Sequence, residues 1–182
     1  MTNVVVVSGS PSPSSRTLRL VRYIGARLRS EAFSVSEIEV RALPAEDLLF
    51  ARATSPALAA PLARIESADG LVVGTPIYKA AYSGVLKTFL DLLPPRALAE
   101  KIIFPIATGA APTHALALDY ALRPVLMALG EPLVLGGLFV FDKHIGEGED
   151  ESVVLEPDAE RQVAARIAGF ANALRAAPIR AA

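Results

Sequence analysis

The chain has 182 residues, 52% of them hydrophobic, a formal net charge of −1, no cysteine and two histidines, His114 and His144. That length and apolar content suit one domain with a sizeable core; a balanced charge without a Lys/Arg run speaks against nucleic-acid binding, and the lack of cysteine and of ligand-like His spacing speaks against thiol chemistry or a structural metal. No apolar stretch approaches the roughly 20 residues of a membrane span, and no basic segment leads into a signal-type core, so a cytoplasmic protein that does not enter the membrane is expected.

Four consecutive valines, Val4, Val5, Val6 and Val7, are too β-branched for a comfortable helix and predict a strand covered on both faces. The strand runs into Gly9, which allows close backbone approach, and then into Ser10, Ser14, Ser15 and Thr17 as a helix begins at Arg16. Hydroxyls, unpaired N–H groups and a positive dipole end would together hold an anion. A serine-rich turn that merely caps its helix is the alternative. In residues 16–31, Leu18, Val21, Ile24 and Leu28 form one apolar stripe, as in a helix packed on a sheet. Phe33, Val35, Ile38 and Val40 predict a second, less buried strand whose alternation slips once, as a bulge or an edge allows. Residues 41–54 have apolar residues without a period and read as a packed loop with one helical turn. Ser55 then caps a helix with Pro56 in its first turn.

Leu71, Val72 and Val73 make a third short strand, and Pro76 is expected to end it in a loop. Ser83 caps the next helix, in which Val85, Leu86, Phe89, Leu90 and Leu93 face inward and Lys87 pairs with Asp91. A fourth strand over 102–107 precedes Thr108-Gly109-Ala110-Ala111-Pro112, and a fourth helix covers 113–129. Pro124 inside that helix clashes with the carbonyl four residues earlier, on Tyr120, so a kink or a π-bulge is expected there. His114, near the start of this helix, is assigned a surface or loop hydrogen-bonding role. Leu92, Leu116, Leu118 and Leu126 exceed one buried stripe, so some of them are expected to face another subunit in a homodimer or homotetramer. A fifth strand covers 133–141, an acidic stretch at 146–151 is expected to be mobile, a last helix covers 157–174, and the tail 176–182 is expected to fray.

Five alternations of strand and helix imply an α/β fold, a doubly wound five-stranded parallel sheet of flavodoxin-like order 2-1-3-4-5, in one domain over residues 1–175. Ligands of such sheets bind outside the carboxyl ends of the strands, near the switch point between strands 1 and 3. Three loops leave those ends. The first offers Ser10, Ser15, Arg16 and Thr17 to a phosphate; the second, Pro76-Ile77-Tyr78-Lys79, offers a stiff apolar platform and peptide N–H groups; the third, Thr108-Gly109-Ala110, is small enough for a ring to approach backbone. Taken singly, Tyr78 and Tyr82 read equally well as packing aromatics and Gly109 as a plain turn. Taken together, the loops suit a ligand with a phosphate at one end and a flat ring at the other, the shape of FMN.

Gly9-Ser10-Pro11 with Ser15 and Thr17, followed by the run from Gly74-Thr75-Pro76-Ile77-Tyr78-Lys79 to Ser83-Gly84-Val85-Leu86-Lys87, resembles the NADPH-dependent FMN reductase family. Glu46-Asp47-Leu48-Leu49, Ser55-Pro56-Ala57-Leu58 and Asp119-Tyr120-Ala121-Leu122-Arg123-Pro124 are similar to its SsuE-like branch, which supplies reduced FMN to alkanesulfonate monooxygenase. The likeness covers residues 4–141. It implies a homotetrameric oxidoreductase of sulfur metabolism that transfers hydride from NADPH, or NADH as an alternative, to FMN with no catalytic side chain. The chain has no G-x-G-x-x-G fingerprint, so the nicotinamide is expected to stack on the flavin instead of occupying a domain of its own. The resemblance also implies a π-bulge at Tyr120, for which a role in flavin exchange is expected. Ser12, where many relatives carry Arg, and Ala110, where a second Gly is usual, depart from the pattern. A flavoenzyme that keeps its FMN and reduces quinones, azo dyes or metal ions shares these features, and a flavodoxin-like electron carrier is the reading from outside enzymology.

Overall fold

The computed structural model describes residues 1–148 and 152–177. β1 (Asn3–Ser8) lies between β2 (Ser34–Glu39) and β3 (Gly70–Tyr78); β5 (Ile102–Gly109) follows β3, and β6 (Leu133–Val134) and β7 (Leu138–Phe141) share its far side, all in parallel. Counting β6 and β7 as one interrupted strand gives the anticipated order 2-1-3-4-5. The interruption has a local cause. From Leu133 opposite Ile102 to Leu138 opposite Ile106 the outer strand takes five steps against four, so one extra residue is absorbed at Gly136-Gly137.

Both faces are buried. In β1, Val4 and Val6 pack with Leu20, Ile24 and Leu28 of α1 (Arg16–Ser30) and with Val163, Ile167 and Phe170 of α6 (Pro157–Ala176). Val5 and Val7 pack on the opposite face with Leu58 and Ile65 of α3 (Pro56–Ser67) and Leu86 and Phe89 of α4 (Gly84–Leu90). A shorter helix, α2 (Ala45–Leu49), occupies the segment read as a packed loop. Ser55 stands at the N-cap of α3, but its hydroxyl donates to Asp47 and caps nothing.

Several expectations are corrected. β3 does not stop at Pro76. The Gly74 carbonyl accepts from Gly9 N–H at 2.8 Å, so Pro76, two residues on, turns its nitrogen to that same side, where β1 has already ended. No ladder bond is lost, and the strand continues to Tyr78 and folds back as β4 (Ala81–Tyr82). The fourth helix is composite: a 3₁₀ turn at Pro112–Ala115, a π turn at Leu118–Leu122 and α5 (Arg123–Ala128). Leu92, Leu118 and Leu126 are core residues of the single chain, and only Leu116 of that set is exposed, so the surplus apolar stripe is spent inside the fold. Of the acidic stretch, Gly146 and Glu147 belong to β8 (Ile145–Glu147), which pairs antiparallel with β9 (Val153–Leu155), and residues 149–151, on which the expected mobility also falls, lie outside the described part. α6 extends to Ala176, and residues 178–182 of the expected tail likewise lie outside it. Among the described residues no helix is long and apolar enough to cross a membrane, and no group of three or more His, Asp or Glu is placed to hold a metal.

Candidate functional site

The carboxyl ends of β1, β3 and β5 open on a cleft of about 270 Å³. Ser10, Ser15, Arg16 and Thr17 line it from the first loop, Pro76, Ile77 and Tyr78 from the second, and Thr108, Gly109 and Ala110 from the third. Lys79 does not line it. It sits with Ala80 at the tip of the β3–β4 hairpin, with φ of 49° and 63°, the two-residue turn whose twist matches its strands and which glycine and asparagine usually fill.

The first loop gathers hydroxyls at a helix N-terminus. α1 runs 15 residues and has no acidic residue in its first turn to offset the dipole. The Ser15 hydroxyl accepts from Leu18 N–H at 3.1 Å, which leaves its own hydrogen to donate, and Ser10, Ser15 and Thr17 are all buried. Arg16 is exposed beside them, whereas the next arginine along the helix, Arg19, is engaged by Glu147 at 2.6 Å. The loops are tied together. Thr17 Oγ1 and Thr108 Oγ1 are 2.7 Å apart, Ser83 N–H donates to Thr75 Oγ1 at 2.9 Å, and the Ser83 hydroxyl donates to the Gly9 carbonyl while capping α4 through Leu86 N–H.

The opposite end is flatter and less polar. Ile77 is buried, Tyr78 is half exposed, and Gly109 leaves open a space into which any Cβ would press within 2.8 Å of His114 Nδ1. Four further residues line the cleft: Ser12, Ser14, His114 and Asp142. Asp142 escaped the sequence reading because a lone carboxylate carries no periodic signal; its place just after the last parallel strand was the available clue. His114 is found in the cleft with its Nδ1 buried and unpartnered among the described residues, so the loop hydrogen bond assigned to it is made by its backbone alone, to the Ala111 carbonyl at 3.0 Å.

Near the second loop, burial pushes the Tyr82 phenol above its ordinary value, against an opposing pull from Lys87. The Asp91 carboxylate, with both oxygens 2.6 Å from Lys87 Nζ, raises that ammonium in turn. Neither shift moves a group toward neutral pH, so neither supplies a general acid or base under ordinary conditions. A larger groove of about 730 Å³ beside α3 is lined by Leu62, Leu92 and Leu93, and the amine of its buried Lys101 is bonded to the carbonyls of Glu66 and Ala68. It lacks the hydroxyls and helix terminus that a phosphate needs.

A helix N-terminus ringed by hydroxyls at the end of the first strand, joined to a flat slot across the next two in a flavodoxin-like sheet, is the arrangement in which α/β proteins of this order place a ligand, and similarity to known proteins makes the class a flavin-dependent oxidoreductase. Residues 2–145 match the family model described as NADPH-dependent FMN reductase. The chain is 46% identical over 142 residues to an FMN reductase (NADPH) of Escherichia coli K12, covering 78% of this chain and 74% of that one. It is 34% identical over 159 residues to the NADH-dependent FMN reductase SfnE of Pseudomonas putida, covering 84% of each. Among solved structures, an apo NADH:FMN oxidoreductase (EMOB) superposes with a TM-score of 0.87 and 37% identity, over 98% of this chain and 92% of that one. The chain belongs to the NADPH-dependent FMN reductase family. It is an oxidoreductase that uses FMN and NAD(P)H.

Proposed function

We propose that the cleft holds FMN with its phosphate on Ser10, Ser15, Arg16 and Thr17 and its ring along Pro76, Ile77, Tyr78, Lys79, Thr108, Gly109 and Ala110, and that the protein hands reduced FMN to a two-component monooxygenase of the alkanesulfonate type. The observation that carries the reading is the uncompensated N-terminus of α1 with three buried hydroxyls around it. Bound there, FMN supplies the chemistry, accepting a hydride from the nicotinamide and passing the electrons on. The chain supplies position. Arg16 and the serine hydroxyls fix one end, Ile77 and Tyr78 keep water from one side of the slot, and Lys79 contributes its peptide N–H in place of a lining side chain. No side chain moves a proton.

Delivery to an oxygenase is supported by the likeness of residues 46–58 and 119–124 to the SsuE-like branch and by the π turn. The Arg123 N–H bonds to the Leu118 carbonyl five residues back, a wide turn that places Tyr120 out of the core at 80% exposure. Such a turn favours a site that exchanges flavin over one that retains it. Tyr120 and Leu116 on that segment, together with Tyr78 of the cleft, are exposed apolar side chains, which supports a homodimer or homotetramer. The test of the site is Arg16→Ala. FMN affinity should fall by about 1–3 kcal/mol, the worth of a charge-assisted bond, while riboflavin affinity holds. Equal losses for the two ligands place the phosphate elsewhere.

A further inference from the structure

We propose that His114 is a flavin-positioning residue whose imidazole proton sits on Nε2, and that this N–H donates to an acceptor on the ring system of FMN and not to its phosphate. The inference rests on the reading that this cleft holds FMN.

The tautomer follows from burial. Nδ1 is buried without a hydrogen-bond partner among the described residues. A Cβ built on Gly109 would lie 2.8 Å from Nδ1 and 3.2 Å from the Phe139 ring, so the imidazole is seated in the room that glycine leaves against the end of β5. A neutral imidazole carries one N–H and one bare nitrogen. Burying a bare acceptor costs less than burying an N–H with nothing to receive it. Nδ1 is therefore the bare nitrogen, and the donor is Nε2 on a side chain that lines the cleft.

Which part of FMN it meets follows from the sheet order. The 3₁₀ turn carrying His114 packs on β7, which lies beyond β5 from β1 and β3. The phosphate donors Ser10, Ser15, Arg16 and Thr17 belong to the loop after β1, at the other side of the cleft. Asp142, directly after β7, also faces the cleft, and its carboxylate repels a phosphate dianion from that side. A neutral N–H there suits a ring carbonyl, which carries no charge.

The experiment titrates the flavin-free protein with FMN and with riboflavin, following quenching of flavin fluorescence, for the parent, His114→Phe, His114→Gln and Arg16→Ala, and records thermal unfolding of each without flavin. His114→Phe should weaken both flavins by the same factor, about fivefold to tenfold, the loss of one neutral hydrogen bond. His114→Gln, whose amide can donate at similar reach, should recover most of the affinity. Unfolding of flavin-free His114→Phe should occur at the parent temperature or above it, because the orphaned nitrogen is gone; a merely structural histidine would give the opposite. Unchanged affinities in His114→Phe, a loss confined to FMN, or a Gln variant as weak as the Phe variant overturns the proposal. If Arg16→Ala shows its FMN-selective loss while His114→Phe shows none, the His114 inference alone fails. If neither variant alters flavin binding, the assignment of the cleft fails with it.

Discussion

Gly9→Ala is the most direct probe of how the loop after β1 is held. Gly9 is buried, its N–H bonds to the Gly74 carbonyl at 2.8 Å, and its carbonyl receives the Ser83 hydroxyl. A Cβ there would lie 2.5 Å from Leu86 Cβ and 3.2 Å from Leu86 Cα, both in the first turn of α4, so the helix or the loop must retreat by about 1 Å to reach the 3.4 Å of ordinary contact. Leu86 is fully buried and cannot rotate away. Overpacking of this kind costs about 1–3 kcal/mol and a broken Ser83–Gly9 bond about 1 more, offset by about 0.5 from the stiffer unfolded chain, for a net of roughly 1.5–3.5 kcal/mol. For a chain of this size that lowers Tm by about 3–14 °C. The same retreat separates Ser10 from Ser15 and should weaken FMN by about tenfold or more. Gly169→Ala, on α6 with nothing within 4 Å of the added carbon, is the control and should gain about 0.5–1 kcal/mol. Scanning calorimetry and FMN titration read both effects. A Gly9→Ala protein that melts within about 2 °C of the parent and binds FMN equally well would refute the close-approach argument.

Two further outcomes concern strain and exchange. Ala80→Gly relieves a left-handed alanine at the β3–β4 tip and, after the added chain entropy, should stabilise the protein by about 0.5–1 kcal/mol in urea unfolding; destabilisation would mean that the methyl group packs favourably. Deletion of Tyr120 removes one residue from the π turn, and the variant should purify yellow with retained FMN and lose NADPH oxidation that depends on added FMN, while the parent purifies nearly colourless; a deletion variant that turns over free FMN normally would remove Tyr120 from flavin exchange.

The sequence by itself determined the alternating parallel sheet, because the signals were local: four adjacent valines, an apolar stripe in 16–31, and chain-order alternation of strand and helix that steric rules narrow to a few topologies, of which 2-1-3-4-5 is the one the fold contains. It also marked out the loop after β1, since a strand, a glycine, hydroxyls and a helix start are neighbours in the chain. Pro124 foretold a disturbance at Tyr120, though the choice of a π turn over a kink came from the resemblance and is what the fold contains. What only the tertiary structure decided were matters of who stands beside whom. Pro76 looked like a strand end, yet it keeps its place because β1 pairs only as far as Gly74, two residues short of it, and its missing N–H faces no partner. Leu92, Leu118 and Leu126 looked like interface residues, yet the composite fourth helix turns Leu118 and Leu126 into the core, and the turn after α4 buries Leu92. His114 and Asp142 are 28 positions apart and gave no shared pattern. They meet in the cleft because β5 and β7 are adjacent, with Gly109 opposite Phe141, and adjacency between strands is set by the packed sheet and not by any stretch of chain alone.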